Sequence, residues 1–350
     1  MKKILCLILA LVLVFGLMAG CASKPEAEIT PPPSTEKPET TPDAKGDMLG
    51  LSIIADTSGS TAPADGKDGI AKTELDFAAV IVDSKGVIKS CVLDGMNVSI
   101  NFSNAGKLTS DLASEPQSKN EIGANYGLAK VSSIGKEWNE QAAAFATYAV
   151  GKTVADLKGL ALNDKGAPKD ADLASSVTVH VSGFTAAVEK AVANAKVLGS
   201  MSGDKLGLSS VANIAKSIDA KDGKDGLAQA YVTVCAETTG ADGKVTACVF
   251  DAVQANVNFN AKGEITSDIA AAVPTKNELG TAYGLSKASS IGKDWNEQAA
   301  SFAAYATGKT LDEVKGIALK EGVPADADLM SSVTIHVADF ITLIEKASVK

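Results

Sequence analysis

The sequence predicts an α+β protein, an antiparallel sheet packed with helices, built as two homologous domains in tandem. Three observations carry this. Strand-like apolar segments fill the first third of each unit, helical periodicity fills the rest, and the second half of the chain restates the first. Residues 119–153 and 276–310 agree at about three positions in four, sharing Tyr-Gly-Leu, Ser-Ser-Ile-Gly-Lys, Trp-Asn-Glu-Gln-Ala-Ala and Gly-Lys-Thr. Trp138 and Trp295 are 157 positions apart, whereas Thr178 and Thr334 are 156 apart, so one residue was lost in between. Upstream, Leu49-Gly50-Leu51 matches Leu206-Gly207-Leu208, and Gly66-Lys67-Asp68-Gly69 matches Gly223-Lys224-Asp225-Gly226. A unit of about 145 residues is a whole domain rather than a solenoid repeat. The domains read as 48–197 and 198–350, and a hydrophobic content of 45% is enough to give each a core.

The elements follow in order. Leu75 to Val82, a turn at Asp83-Ser84-Lys85-Gly86 and Val87 to Leu93 predict a hairpin, with a further strand at Val98 to Phe102. Trp138, Ala142, Phe145 and Ala149 share one face of a helix, with Glu137 and Glu140 elsewhere. Thr153-Val154-Ala155-Asp156 and Thr310-Leu311-Asp312-Glu313 are capping-box starts of a short helix. Ser176 to Val181 alternates polar and apolar residues and predicts a strand, with Ser176, Thr178 and His180 on one face. A last helix buries Phe184, Val188 and Ala191.

The N-terminus reads as an address. Lys2 and Lys3 precede an apolar run from Ile4 to Phe15, the pattern of a secretory leader over residues 1–20. Leu17-Met18-Ala19-Gly20-Cys21 resembles a lipobox, which makes Cys21 the lipidated first residue of a mature lipoprotein held at the outer face of the cell membrane. Residues 21–47 are rich in Pro, Thr, Glu and Lys, a composition that cannot bury apolar surface and predicts an extended tether. The net charge of −9 disfavours nucleic acid and anionic lipid surfaces as partners. All 33 basic residues are Lys, so the bidentate guanidinium that usually clamps phosphate is missing.

Both histidines of the chain fall in one recurring phrase. It reads Asp172-Leu173-Ala174-Ser175-Ser176-Val177-Thr178-Val179-His180 and Asp328-Leu329-Met330-Ser331-Ser332-Val333-Thr334-Ile335-His336. Taken by itself, it fits an amphipathic edge strand. Asp-x-x-Ser-Ser-Val-Thr also resembles the flavinylation motif of the FMN-binding domain family, Asp-x-x-Ser/Thr-Gly-Ala-Thr/Ser. It departs from that motif at Ser176 and Ser332, in place of Gly, and at Val177 and Val333, in place of Ala.

The resemblance implies that an FAD:protein FMN transferase joins FMN through its phosphate to Thr178 and Thr334, giving two covalent FMN groups. Asp172 and Asp328 are then the acids that the transferase reads, and Ser175 and Ser331 the motif hydroxyls. Ser176, Ser332, His180 and His336 complete the expected cofactor-binding set. Lipobox, tether and tandem domains together resemble flavinylated lipoproteins of Gram-positive extracellular electron transfer. The implied role is an electron carrier, not an enzyme, between a membrane NADH dehydrogenase with its quinone pool and outside acceptors such as ferric iron or free flavins. A covalent ester also removes the need for Arg to grip the cofactor, while the protein orients the flavin and tunes it. A non-catalytic ligand- or partner-binding cell-surface lipoprotein is the alternative.

Other chemistry finds little support. Two His in separate units and no Cys-x-x-Cys give no metal-ligand cluster, and Gly-Lys-Thr lacks the strand and upstream Gly of a phosphate loop. Trp138, Trp295, Tyr126 and Tyr283 are either core residues or stacking partners for a flavin. With a hairpin turn centred between Ala241 and Asp242, Cys235 faces Cys248, and Ala78 faces Cys91 in the first unit. A disulfide between Cys235 and Cys248 then becomes possible outside the cell.

Overall fold

The computed structural model describes residues 46–348; the expected leader, Cys21 and nearly all of the tether lie outside the described residues. Each repeat opens with a three-stranded antiparallel meander. The first has β1 (Met48–Asp56), β2 (Gly69–Val82) and β3 (Ile88–Phe102), in the order β1-β2-β3. Helices follow: α1 (Lys119–Ile122), α2 (Trp138–Ala149), α3 (Val154–Lys158), α4 (Ala171–Ala174) and α5 (Ser182–Ala193). The second repeat has β4 (Lys205–Asn213), β5 (Gly226–Thr239) and β6 (Val245–Phe259). Its helices are α6 (Lys276–Leu279), α7 (Trp295–Ala306), α8 (Leu311–Lys315), α9 (Ala327–Met330) and α10 (Ala338–Ser348), with a two-residue pair β7 (Leu319–Lys320) and β8 (Val323–Pro324) before α9. The α+β class with antiparallel sheets is thus what the chain adopts. Among the described residues no helix is long and apolar enough to cross a membrane.

The strands are apolar on both faces because each face has its own core. On β2, Leu75, Phe77, Ala79 and Ile81 enter a core made by the two sheets together, while Ala78, Val80 and Val82 pack on the repeat's own helices. The second repeat divides likewise, with Val232, Val234 and Ala236 in the shared core and Cys235 on the helix side. Four layers result: helices, sheet, sheet, helices. Helix α5 sits so close on β1 that a Cβ at Gly50 would collide with the Ala191 carbonyl, and Gly207 meets Ala347 in the same way. Ser52 Oγ then donates to the Ala187 carbonyl at 2.7 Å, as Ser209 Oγ does to Leu343.

The repeats pack about a pseudo-two-fold axis. Phe102 stacks on its counterpart Phe259, centroids 4.3 Å apart and planes 10° from parallel. Lys190 pairs with Glu278 of the second repeat at 2.8 Å, and Lys346 pairs with Glu121 of the first. The same lysines donate at 2.7 Å to the carbonyls of Ile53 and Ser210. Equivalent groups bond in both directions, the signature of an isologous interface made within one chain.

Several expected elements stand. Trp138, Ala142, Phe145 and Ala149 are buried on α2, Phe184, Val188 and Ala191 on α5, and both capping boxes are formed. Three expectations are corrected. Val98–Phe102 is no separate strand but the end of β3, whose Gly95 lets the chain continue close beneath the Leu75 carbonyl. The hairpin register is shifted by two, with Cys235 opposite Phe250 and Val80 opposite Cys91. The turn closes one position later than expected, and a bulge at Thr238/Thr239 (Ile81/Val82 in the first repeat) adds the remainder. Finally, Ser176–Val181 is a loop between α4 and α5, as is 332–337 between α9 and α10. Both sheets are complete without it, and its alternating valines are satisfied by burial of Val177 and Val181 against the helices.

Candidate functional site

The recurring phrase forms the same loop in both repeats, and a buried glutamine holds it. Gln141 on α2 is wholly buried, and its Oε1 accepts from the amide of Thr178 at 2.8 Å, its hydroxyl at 3.3 Å and the amide of Val179 at 3.2 Å. Its Nε2 donates to the Lys136 carbonyl at 3.0 Å and Ser132 Oγ at 3.3 Å. Gln298 repeats this with Thr334 (amide 2.8 Å, hydroxyl 3.2 Å), Lys293 (3.0 Å) and Ser289 (3.2 Å). The glutamine supplies to the threonine amide an acceptor that a strand partner would otherwise have provided. The recurring Ser-Ser-Ile-Gly-Lys and Trp-Asn-Glu-Gln phrases thus supply groups that hold the threonine loop.

The predicted residues sit in this frame as follows. Asp172 and Asp328 lie exposed on α4 and α9, which are capped by the preceding Asp170 and Asp326, each accepting at 3.0 Å from a leucine amide. Ser175 and Ser331 are exposed and bond back to the carbonyls of Asp172 (2.7 Å) and Asp328 (2.6 Å). Ser176 Oγ accepts from Lys136 Nζ at 3.1 Å, whereas Ser332 Oγ donates to the Leu329 carbonyl at 3.2 Å. Val177 and Val333, the residues preceding the threonines, are fully buried and anchor the loop from beneath. Thr178 and Thr334 are half-buried, and their hydroxyls donate to the Oε1 atoms of the buried Gln141 and Gln298.

His180 and His336 are exposed, and each lies over a glycine of the preceding turn, Gly166 (φ 70°) and Gly322 (φ 80°). A Cβ on either glycine would strike the imidazole. His180 Nε2 lies 3.1 Å from Ser182 Oγ.

Trp138 and Trp295 are core residues, edge-on to Phe184 (5.4 Å) and Phe340 (5.9 Å). Beneath them lies a feature to which spacing assigned no role. Lys276 is 4% exposed and its ammonium faces the rings of Tyr231, Tyr283 and Trp295 at 4.4, 4.7 and 4.9 Å. Burial brings Lys276 down to about 8 and pushes the neighbouring Asp251 up to about 6. In the first repeat Lys119 sits over Trp138 at 4.7 Å, also lowered by burial, with Asp76, Glu74 and Asp94 supplying opposing charge. Asp76 lies against Gly183 of α5; the second repeat has Thr233 and Asp339 at these positions, so one carboxylate has moved from strand to helix.

What can the loop hold? In the first repeat Lys136 Nζ bonds Ser176 Oγ two residues before Thr178, an ammonium and hydroxyls of the kind that bind phosphate. Two cavities, about 760 and 550 Å³, lie elsewhere. They line the opposite flanks of α7 and α2, with Asn296, Ala300 and Ala303 in one and Asn139, Ala143 and Ala146 in the other, and neither is lined by the threonine loops. Among the described residues no group of three or more His, Cys, Asp or Glu is placed to hold a metal ion. No protein-family model, curated protein or solved structure gives a significant match to this chain.

Proposed function

We propose that the chain is a membrane-anchored extracellular electron-transfer flavoprotein, with FMN joined by phosphoester bonds to Thr178 and Thr334. One observation carries the reading: two separate loops, 156 positions apart, present the motif threonine in the same glutamine-held geometry. Lys136 and Ser176 would hold the phosphate in the first repeat, with Lys293 and Ser332 at the matching positions of the second. Asp172 and Asp328, exposed at the loop entrance, are available to a transferase. The bound flavin would supply one- and two-electron chemistry, which free flavins or ferric iron could draw on and a membrane dehydrogenase with its quinone pool could feed. The protein's own part is to fix the attachment point, shield one side of it with Val177 or Val333 and set the local charge through the buried lysines.

The cavity of about 760 Å³ between the repeats favours a second reading, a non-catalytic ligand-binding lipoprotein. Co-expression with a flavin transferase separates the two. Two FMN additions by intact mass on denatured protein, lost one each in Thr178→Ala and Thr334→Ala, are expected. A colourless, unmodified chain in the presence of active transferase leaves the second reading standing.

A further inference from the structure

We infer that Cys235 and Cys248 are a disulfide-forming pair, present in the second repeat alone, that cross-links β5 to β6. Their sulfurs lie 3.5 Å apart, and the side chains are 0% and 4% exposed. The two residues do not oppose each other in register; Cys235 faces Phe250 and Cys248 faces Glu237. They meet on the diagonal, which in a twisted ribbon brings one set of next-nearest side chains together on the same face. Both stand as thiols in the structure, on the helix-facing side of the sheet.

The fold does not require this apposition. The first repeat builds the same hairpin with a fully buried Ala78 at the position of Cys235, leaving Cys91 without a second sulfur. An alanine therefore fills the site, and the added sulfur at 235 is surplus to packing. In the oxidising surroundings implied by a secretory leader, two thiols in van der Waals contact are the groups positioned to react. The step is thiol–disulfide exchange with a small-molecule or protein disulfide. Two S–H bonds break and one S–S bond forms between Cys235 and Cys248. The oxidant takes up two protons and two electrons and leaves as two thiols. Because both sulfurs are shielded in the folded chain, closure belongs to folding, after which the same burial protects the bond from reductants. The inference does not depend on flavin attachment.

The test is oxidative refolding of the full chain in a mixture of oxidised and reduced glutathione, then alkylation under denaturing conditions and tryptic mapping without reductant. Peptides 225–244 and 245–262 should appear as one disulfide-linked pair that separates with dithiothreitol. Cys235→Ala, which installs the residue of the first repeat, should fold and lose the linked pair. The wild-type chain refolded with the glutathione mixture should melt on the order of 5–10 °C above the same chain refolded in reductant, whereas the variant should melt alike after either treatment. Recovery of both peptides separately alkylated after refolding, or a linkage of either cysteine to Cys91 instead, overturns the inference.

Discussion

Gln141 and Gln298 show how much a single buried amide can organise. Each satisfies a threonine loop with one oxygen and a serine–lysine turn with one nitrogen. Gln298→Leu would keep the volume but orphan the Thr334 amide, at a cost of about 1–3 kcal/mol. Urea unfolding should register that loss, and FMN mass should fall at Thr334 while Thr178 remains modified; equal loading of both threonines would refute the clamp. Lys276 makes a prediction of a different kind. Its folded value of about 8 lies below its ordinary 10.5, so the unfolded chain binds more protons between these limits. Stability therefore rises with pH from about 8 to 10.5, and the penalty for burying the charge is fully present below 8. Asp251, raised from 3.8 to about 6, has the opposite slope, losing stability as pH climbs between those values. Chemical denaturation across pH should show a shallower alkaline rise in Lys276→Met than in the wild-type chain, the remainder coming from Lys119, which burial also lowers.

At the scale of elements, helix α5 on β1 and helix α10 on β4 are decided by one missing side chain each. Gly207→Ala drives a methyl into the Ala347 carbonyl, so α10 must move away from the sheet. The expected cost is about 1–3 kcal/mol, read as a lower urea midpoint with an unchanged slope. The threonine loops teach the complementary lesson. Val177-Thr178-Val179-His180-Val181 has the alternation of a strand, but alternation states only which side chains want burial. Whether the backbone finds a strand partner depends on an edge being free. Here the buried glutamine supplies the hydrogen bonds instead. The hairpin register departs from the expected one for a related reason, since a bulge is a local deviation that apolar pattern does not record. The Trp-Asn-Glu-Gln phrase did carry a signal: a glutamine on the apolar face of an otherwise cleanly patterned helix, repeated 157 positions on.

For the whole molecule, the shared core is the dominant fact. Leu75, Phe77, Val98 and Phe102 of one sheet are covered by Val232, Val234, Val257 and Phe259 of the other. A single repeat would expose that entire face. Expressed alone, residues 46–197 should self-associate or precipitate, and co-expression with 198–350 should restore a one-to-one complex by size-exclusion chromatography. A monodisperse, stable monomer of 46–197 would contradict the shared-core account. The exchange of Lys190–Glu278 and Lys346–Glu121 across the axis fixes orientation more than it adds stability, since partly exposed pairs contribute little each.

The sequence by itself determined the duplication, the α+β class, the helix caps, the core faces of α2 and α5 and the pairing of threonine with histidine in one phrase. These are local or periodic properties, written in residues a few positions apart. Only the tertiary structure decided that the two sheets share a core, that the threonine segments are loops, which glutamines hold them and that Lys276 lies in an aromatic box. Each of these needs at least one contact far apart in the chain, Gln298 to Thr334 over 36 positions and Lys276 to Tyr231 over 45, and contacts across such distances leave no periodic trace in the sequence.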